Sequence, residues 1–275
     1  MGPTGMSTSD GHAGYTSVTR ALRLLLGFDR YHASRSVAEL AEHTGLHKSI
    51  VTRLMATMAQ DGFVVQDPST RRYRIGPMLF SIGSLYEPFA MYREIAEPVL
   101  SDLANRTGYT SCVGVPIGSE VIMVAVVEAP LTNGIRVSMV IGSRRPIYIG
   151  ATGKVILAGM ADHQVRAILG NGALTQWTPQ TPASVQVLLD ELVEIRRRGY
   201  ATNREESTLG SGGVAAPILD RAGVVSAALV VTFPVQFVSE EAMHALAAQV
   251  VQEAQRISRQ LGGALVSPRS EDGRT

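Results

Sequence analysis

A single cysteine, Cys112, in a chain of 275 residues leaves no partner for an intrachain disulfide and no cysteine-rich metal site. A reducing, cytoplasmic setting suits such a chain. No apolar run approaches the roughly 20 residues of a membrane-spanning helix. Met1 to Gly14, rich in Gly, Ser and Thr, lacks the charged start and apolar centre of a secretory signal. That opening (1–14) reads as a disordered leader, and the polar end (264–275) as a flexible tail. Excess charge is also scarce: the net charge is +1, so the molecule as a whole does not advertise a polyanionic partner. What basicity there is lies at the front, where residues 1–76 hold nine Lys/Arg against six Asp/Glu. A hydrophobic content of 45% with 18% charged residues excludes disordered and fibrous classes, and the length allows two domains.

The most specific pattern lies in residues 15–76. Val18, Ala21, Leu22, Leu25 and Phe28 recur at helical spacing, which predicts a helix over 17–30 capped by Ser17 with that stripe facing a small core. Ser36 and Glu39 form an S-x-x-E capping box, opening a second helix that ends at Gly45. In the next helix Val51, Leu54, Met55 and Met58 must face inward, leaving Lys48, Ser49, Thr52, Arg53 and Ala56 outside. Two strands, Phe63–Gln66 and Arg72–Ile75, flank an Asp67-Pro-Ser-Thr70 turn and make a wing. This is a winged helix-turn-helix, shaped for a DNA major groove. His47, Lys48, Ser49, Thr52 and Arg53 are the expected groove contacts, with Arg71 and Arg72 expected at phosphates. His43 and His47 lie four apart, but Gly45 between them breaks the shared helix face and no third ligand is adjacent, so no metal site is assigned.

Residues 77–90 read as a linker helix interrupted at Pro88, and residues 91–263 as a second domain of alternating strands and helices. Strands are expected at 111–115, 120–128, 135–140, 200–203, 214–219 and 224–233, with helices at 91–108, 153–160, 162–169 and 184–198 and a last one from Ser239. Gly150-Ala-Thr-Gly-Lys154 resembles a phosphate loop but fails twice, with Tyr148 at the first glycine position and Val155 in place of the hydroxyl residue. A glycine-rich helix start remains, whose unpaired N–H groups suit a small carboxylate; the alternative is a plain turn with Lys154 at the surface. Cys112 has no nearby histidine and reads as an inert thiol. Glu205 and Glu206 adjoin each other on an expected strand, so they would point to opposite faces, poor geometry for paired acid–base work. No catalytic residue and no cofactor is assigned.

Ser17-Val-Thr-Arg-Ala-Leu22, Thr44-Gly-Leu-His-Lys-Ser-Ile-Val-Thr-Arg-Leu54, Tyr73-Arg-Ile-Gly-Pro77, Gly153-Lys154, Arg198-Gly-Tyr200 and Val214-Ala-Ala-Pro-Ile218 together resemble the IclR family of bacterial transcriptional regulators, from about Ser17 to Gly262. The resemblance implies an α+β chain: a winged helix-turn-helix joined by a linker helix to a GAF-like α/β effector-binding domain. It also implies homodimers or dimers of dimers on palindromic double-stranded operators. Its effector positions fall here on Ala151, Thr152, Asn203, Gly213, Val230 and Thr232, beside Gly153 of the turn. Many members carry an acid where this chain has Asn203, a cysteine at Gly213 and a serine at Val230. These departures point to a larger and less polar acid than a two- or three-carbon one, an aromatic or alicyclic carboxylate. The expected function is control of catabolic genes through a small organic acid. The competing class is a small-molecule enzyme or sensor domain with a vestigial DNA module.

Overall fold

The computed structural model describes residues 16–29, 32–83, 85, 87–129 and 135–262. The leader and tail readings therefore lie outside the described residues. Two compact units divide the chain, Met1–Glu87 and Pro88–Thr275.

In the first unit α1 (Ser17–Leu26), α2 (Val37–Thr44) and α3 (Lys48–Gln60) pack around Leu24, Leu40, Val51 and Met55, all fully buried. The capping box forms: Glu39 N donates to Ser36 Oγ and Ser36 N to Glu39 Oε2, which satisfies two donors at the α2 start. Gly45 ends the helix with φ of 69°, a left-handed conformation glycine adopts without steric cost. The wing strands β2 (Val64–Gln66) and β3 (Tyr73–Ile75) are joined by a further strand, β1 (Ser34–Arg35), in the order β1-β3-β2.

Three expectations for this unit need correction. Helix α1 stops at Leu26, not Arg30, and its N-cap is Thr16 rather than Ser17. Val18 and Leu22 do not face the core but are exposed, with Leu26 on the same face. Residues four apart share a helix face, so this apolar stripe turns outward while Ala21, Leu24, Leu25 and Phe28 turn in. The third strand, β1, carries only two residues, too few for any alternation to betray it. Beyond the wing, α4 (Pro77–Gly83) has no buried residue.

The second unit opens with α5 (Glu87–Thr107), which begins four residues earlier than expected. Pro88 does not interrupt it because a proline in a first helical turn forfeits no intrahelical bond. A six-stranded antiparallel sheet follows, in the order β6-β5-β4-β9-β8-β7. Its strands are β4 (Thr110–Ile117), β5 (Glu120–Val127), β6 (Arg144–Pro146), β7 (Ala201–Arg204), β8 (Ser211–Leu219) and β9 (Val225–Pro234). One face buries Val113, Val214, Leu229 and Phe233 with α5 and α9 (Glu240–Gln260). The other buries Cys112, Ala215 and Val230 with α6 (Gly150–Ala158) and α8 (Val185–Arg198). The short α7 (Asp162–Leu169) has the bounds expected from sequence.

The strand expected at 135–140 is replaced by β6, further along. Gly142 N donates to Met123 O and Met123 N to Ser143 O, so the chain reaches β5 only after a turn at Gly142, whose φ is 83°. Residues 130–134, before it, lie outside the described residues. Helix α6 starts at Gly150 rather than Gly153.

Candidate functional site

In the first unit His47 serves as N-cap of α3 without a side-chain hydrogen bond to the helix, so the first amides of α3 keep their unpaired N–H groups. His47, Lys48, Ser49, Thr52, Arg53 and Ala56 are all exposed. The structure thus brings five of the seven expected groove or phosphate residues onto one face. Thr52 donates to Lys48 O within the helix, leaving its methyl group and an oxygen lone pair outward. This open helix start combines the positive end of the helix dipole with two cationic side chains, and so can hold a polyanion.

The two wing arginines part company. Arg71 is exposed at the wing tip with φ of 58°, held by Arg71 N to Asp67 O at 2.9 Å and Gln66 Nε2 to Arg71 O at 3.0 Å. Asp67 Oδ1 closes the same turn by accepting from Ser69 N, Ser69 Oγ and Thr70 N. Those bonds lower its pKa to about 2. Arg72, expected at phosphate, turns inward: its guanidinium donates to Ser34 O at 2.8 Å and to both Glu39 oxygens at 3.0 and 2.8 Å. Backbone donation from Ser36 and then Arg72 lower Glu39 to about 2. Both carboxylates have depressed pKa values, so their contribution is complete above the unfolded values and is lost as pH falls toward 2.

In the second unit the expected effector positions converge on the face covered by α6. Asn203 pairs with Gly213 across β7–β8, Gly213 with Thr232 across β8–β9, and Val230 lies two residues along β9 on the same face. Ala151, Thr152 and Gly153 form the first turn of α6 and are buried. The space over Gly213 is taken: a Cβ there would meet Asn203 Nδ2 at 3.2 Å. Its lack of a side chain therefore opens no volume in this structure, against the sequence reading. Gly153 likewise lines no space, because a Cβ would lie 1.8 Å from Ile147 O.

The α6 start holds a carboxylate of the chain itself. Glu206 Oε2 accepts from Gly150 N at 3.0 Å, and Glu206 Oε1 from Lys154 Nζ at 2.5 Å. Lys154 is fully buried, not at the surface, and also donates to Glu191 Oε1 at 2.6 Å. Burial raises the Glu206 pKa, with the Lys154 charge opposing that rise. The reading of Glu205 and Glu206 as strand neighbours fails because β7 ends at Arg204 and Glu205 adopts φ of 62°, which turns Glu206 inward. Sequence reasoning missed Lys154, Glu191 and Glu206 as a cluster; they come from three separate elements, and only the glycine-rich turn pointed to the place. Cys112 is fully buried, and burial pushes its thiol pKa up, away from reactivity.

An open helix beside a wing in one unit, and a six-stranded sheet covered by helices on both faces in the other, define a winged-helix protein with a separate α/β domain. The profile of the IclR helix-turn-helix domain matches residues 17–68, and that of the bacterial transcriptional regulator IclR C-terminal domain matches residues 91–259. The chain is 30% identical over 247 residues to the transcriptional repressor IclR of Escherichia coli, covering 90% of each. It is 31% identical over 246 residues to the HTH-type transcriptional regulator XynR of the same organism, covering 90% of this chain and 97% of that one. A solved IclR transcriptional regulator from Alicyclobacillus acidocaldarius superposes with a TM-score of 0.76 at 27% identity, covering 90% and 98%. The chain belongs to the IclR family of bacterial transcriptional regulators, with a DNA-binding and an effector domain.

Proposed function

We propose that this protein is a cytoplasmic, non-enzymatic regulator whose binding to a palindromic operator is set by a small organic acid, an aromatic or alicyclic carboxylate, and that it controls catabolic genes. The observation that carries the DNA half is the uncapped start of α3 with His47, Lys48, Ser49, Thr52 and Arg53 exposed along it. For the effector half, Ile149 caps α6 without a side-chain bond, so the amides of Ala151 and Thr152 remain available beside the one that Glu206 occupies. Val230 and the neighbouring Cys112 and Ala215 make the adjoining wall apolar, which favours a ring over a two-carbon acid. A homodimer or dimer of dimers fits the apolar faces left outward in the first unit: Val18, Leu22 and Leu26 on α1, and Phe80 and Ile82 on α4.

The test is a pair of titrations. Arg71→Ala is expected to lower the slope of log affinity against log salt by about one. Arg72→Ala should leave that slope alone and reduce the thermal stability of the first unit, because its guanidinium joins Ser34 and Glu39. Arg53→Ala should weaken operator binding by about 1–3 kcal/mol and relax preference at one base position. Unchanged affinity in both Arg53→Ala and Arg71→Ala would remove this face from DNA. If acid weakens operator binding, operator must weaken acid binding by the same factor, as calorimetry with and without DNA would measure.

A further inference from the structure

The row Asn203, Gly213, Thr232 continues across one more strand than the expected effector positions do. Thr232 pairs with Thr110 of β4, which puts four residues from four adjacent strands on one face. Polar groups end the row, and both ends lack partners: Asn203 Oδ1 and Thr110 Oγ1 are buried without a hydrogen bond among the described residues. Thr110 is only 1% exposed. A buried hydroxyl without a partner carries a desolvation cost that a bound group can relieve. Beside it is a cavity of about 60 Å³ walled by Thr110, Thr232, Arg136, Val137, Pro234 and Phe237, room for a polar substituent or a few waters.

The cavity's charge selects among polar groups. Arg136 is the cation in its wall, but its Nη2 lies 2.9 Å from Glu128 Oε2 and its Nη1 donates to Ala129 O at 3.2 Å. Glu128 therefore cancels the charge a second carboxylate would need. A neutral hydroxyl needs no counter-charge and can exchange hydrogen bonds with Thr110.

We propose that Thr110 and the cavity beside it bind a hydroxyl group at the end of the effector remote from its carboxylate, so that the effector is a hydroxy monoacid and not a diacid. This rests on the effector reading above, in which the carboxylate meets the α6 start. Three inter-strand steps of about 4.8 Å place the α-carbons of Asn203 and Thr110 roughly 14 Å apart. Allowing for both side chains, that span matches the length of one six-membered ring bearing polar groups at opposite positions. Entry of the ring requires Asn203 to turn its amide off Gly213, and the Oδ1 atom gives up no hydrogen bond in doing so.

The experiment is calorimetry of the full chain with benzoate, 4-hydroxybenzoate, terephthalate, cyclohexanecarboxylate and trans-4-hydroxycyclohexanecarboxylate. At least one hydroxylated acid should bind about tenfold or more tighter than its unsubstituted counterpart, and terephthalate should gain nothing over benzoate. In Thr110→Val, which matches the shape and removes the unpartnered hydroxyl, the ratio should fall to near one with melting temperature equal or higher. Thr110→Ser should keep the preference. Equal binding of hydroxylated and unsubstituted acids, a preference that survives Thr110→Val, or tightest binding by terephthalate overturns this assignment and leaves the effector reading standing. Failure of all five acids to bind overturns both.

Discussion

Replacing Lys154 by methionine is expected to destabilise the second unit by about 3–5 kcal/mol, because it leaves Glu206 buried without its cation. The ammonium is fully buried and touches two carboxylates from separate elements, so the loss is shared by the α6 start, α8 and the segment after β7. Adding Glu206→Gln to Lys154→Met should recover part of the loss, since the second change removes the stranded charge; strictly additive losses would mean the pair is not coupled. The chain's one tryptophan, Trp177, lies in this unit, and its fluorescence during urea unfolding reports on it separately from the first unit. Glu206 also leaves a mark on the pH profile. Its pKa is raised in the folded chain, so that state binds the proton more tightly than the unfolded one, and stability falls as pH rises from about 4.5 through the raised value. Glu206→Gln should flatten that slope.

Gly153→Ala is expected to cost at least about 3 kcal/mol. Alanine would normally gain up to about 1 kcal/mol over glycine within a helix. Here the added Cβ would lie 1.8 Å from Ile147 O and 2.6 Å from Ile147 C, both backbone atoms that no rotamer change can move. Overpacking of this kind commonly costs about 1–3 kcal/mol, and more where backbone must shift. Gly150→Ala provides the contrast: its Cβ would meet only Asn203 Nδ2 at 3.5 Å, and its penalty comes from φ of 80°. A Gly153→Ala chain with an unchanged urea midpoint would show that α6 is not pinned to Ile147.

What the sequence disclosed followed how locally each feature is encoded. The capping box at Ser36, the left-handed Gly45 and the inward set Val51, Met55 and Met58 depend on residues within a turn or two of one another, and each stands where spacing put it. Val18 and Leu22 misled because an apolar stripe marks a face but cannot say whether this unit or something else covers it. Arg72 misled for the reverse reason: its partners Ser34 and Glu39 are more than thirty residues away. In the effector unit the turn Gly150–Lys154 was legible as a place. Its occupant was not, because Glu206 reaches it only through the left-handed backbone at Glu205, a conformation no pattern announces. Thr110 went unnoticed because its importance is a missing hydrogen bond, visible only once β9 lies beside it.

That pairing of β4 with β9 also sets an order of events at the ribosome. The strand pairings of the first unit reach no further than Ser34 to Arg74, so less loop entropy opposes its formation. The central pair of the larger sheet joins Thr110 to Thr232, 122 positions apart, and α9 must still follow to cover one face. Chains are made from the amino end and domains fold as units. The first unit is therefore expected to complete its fold while more than a hundred residues of the second are still to be made.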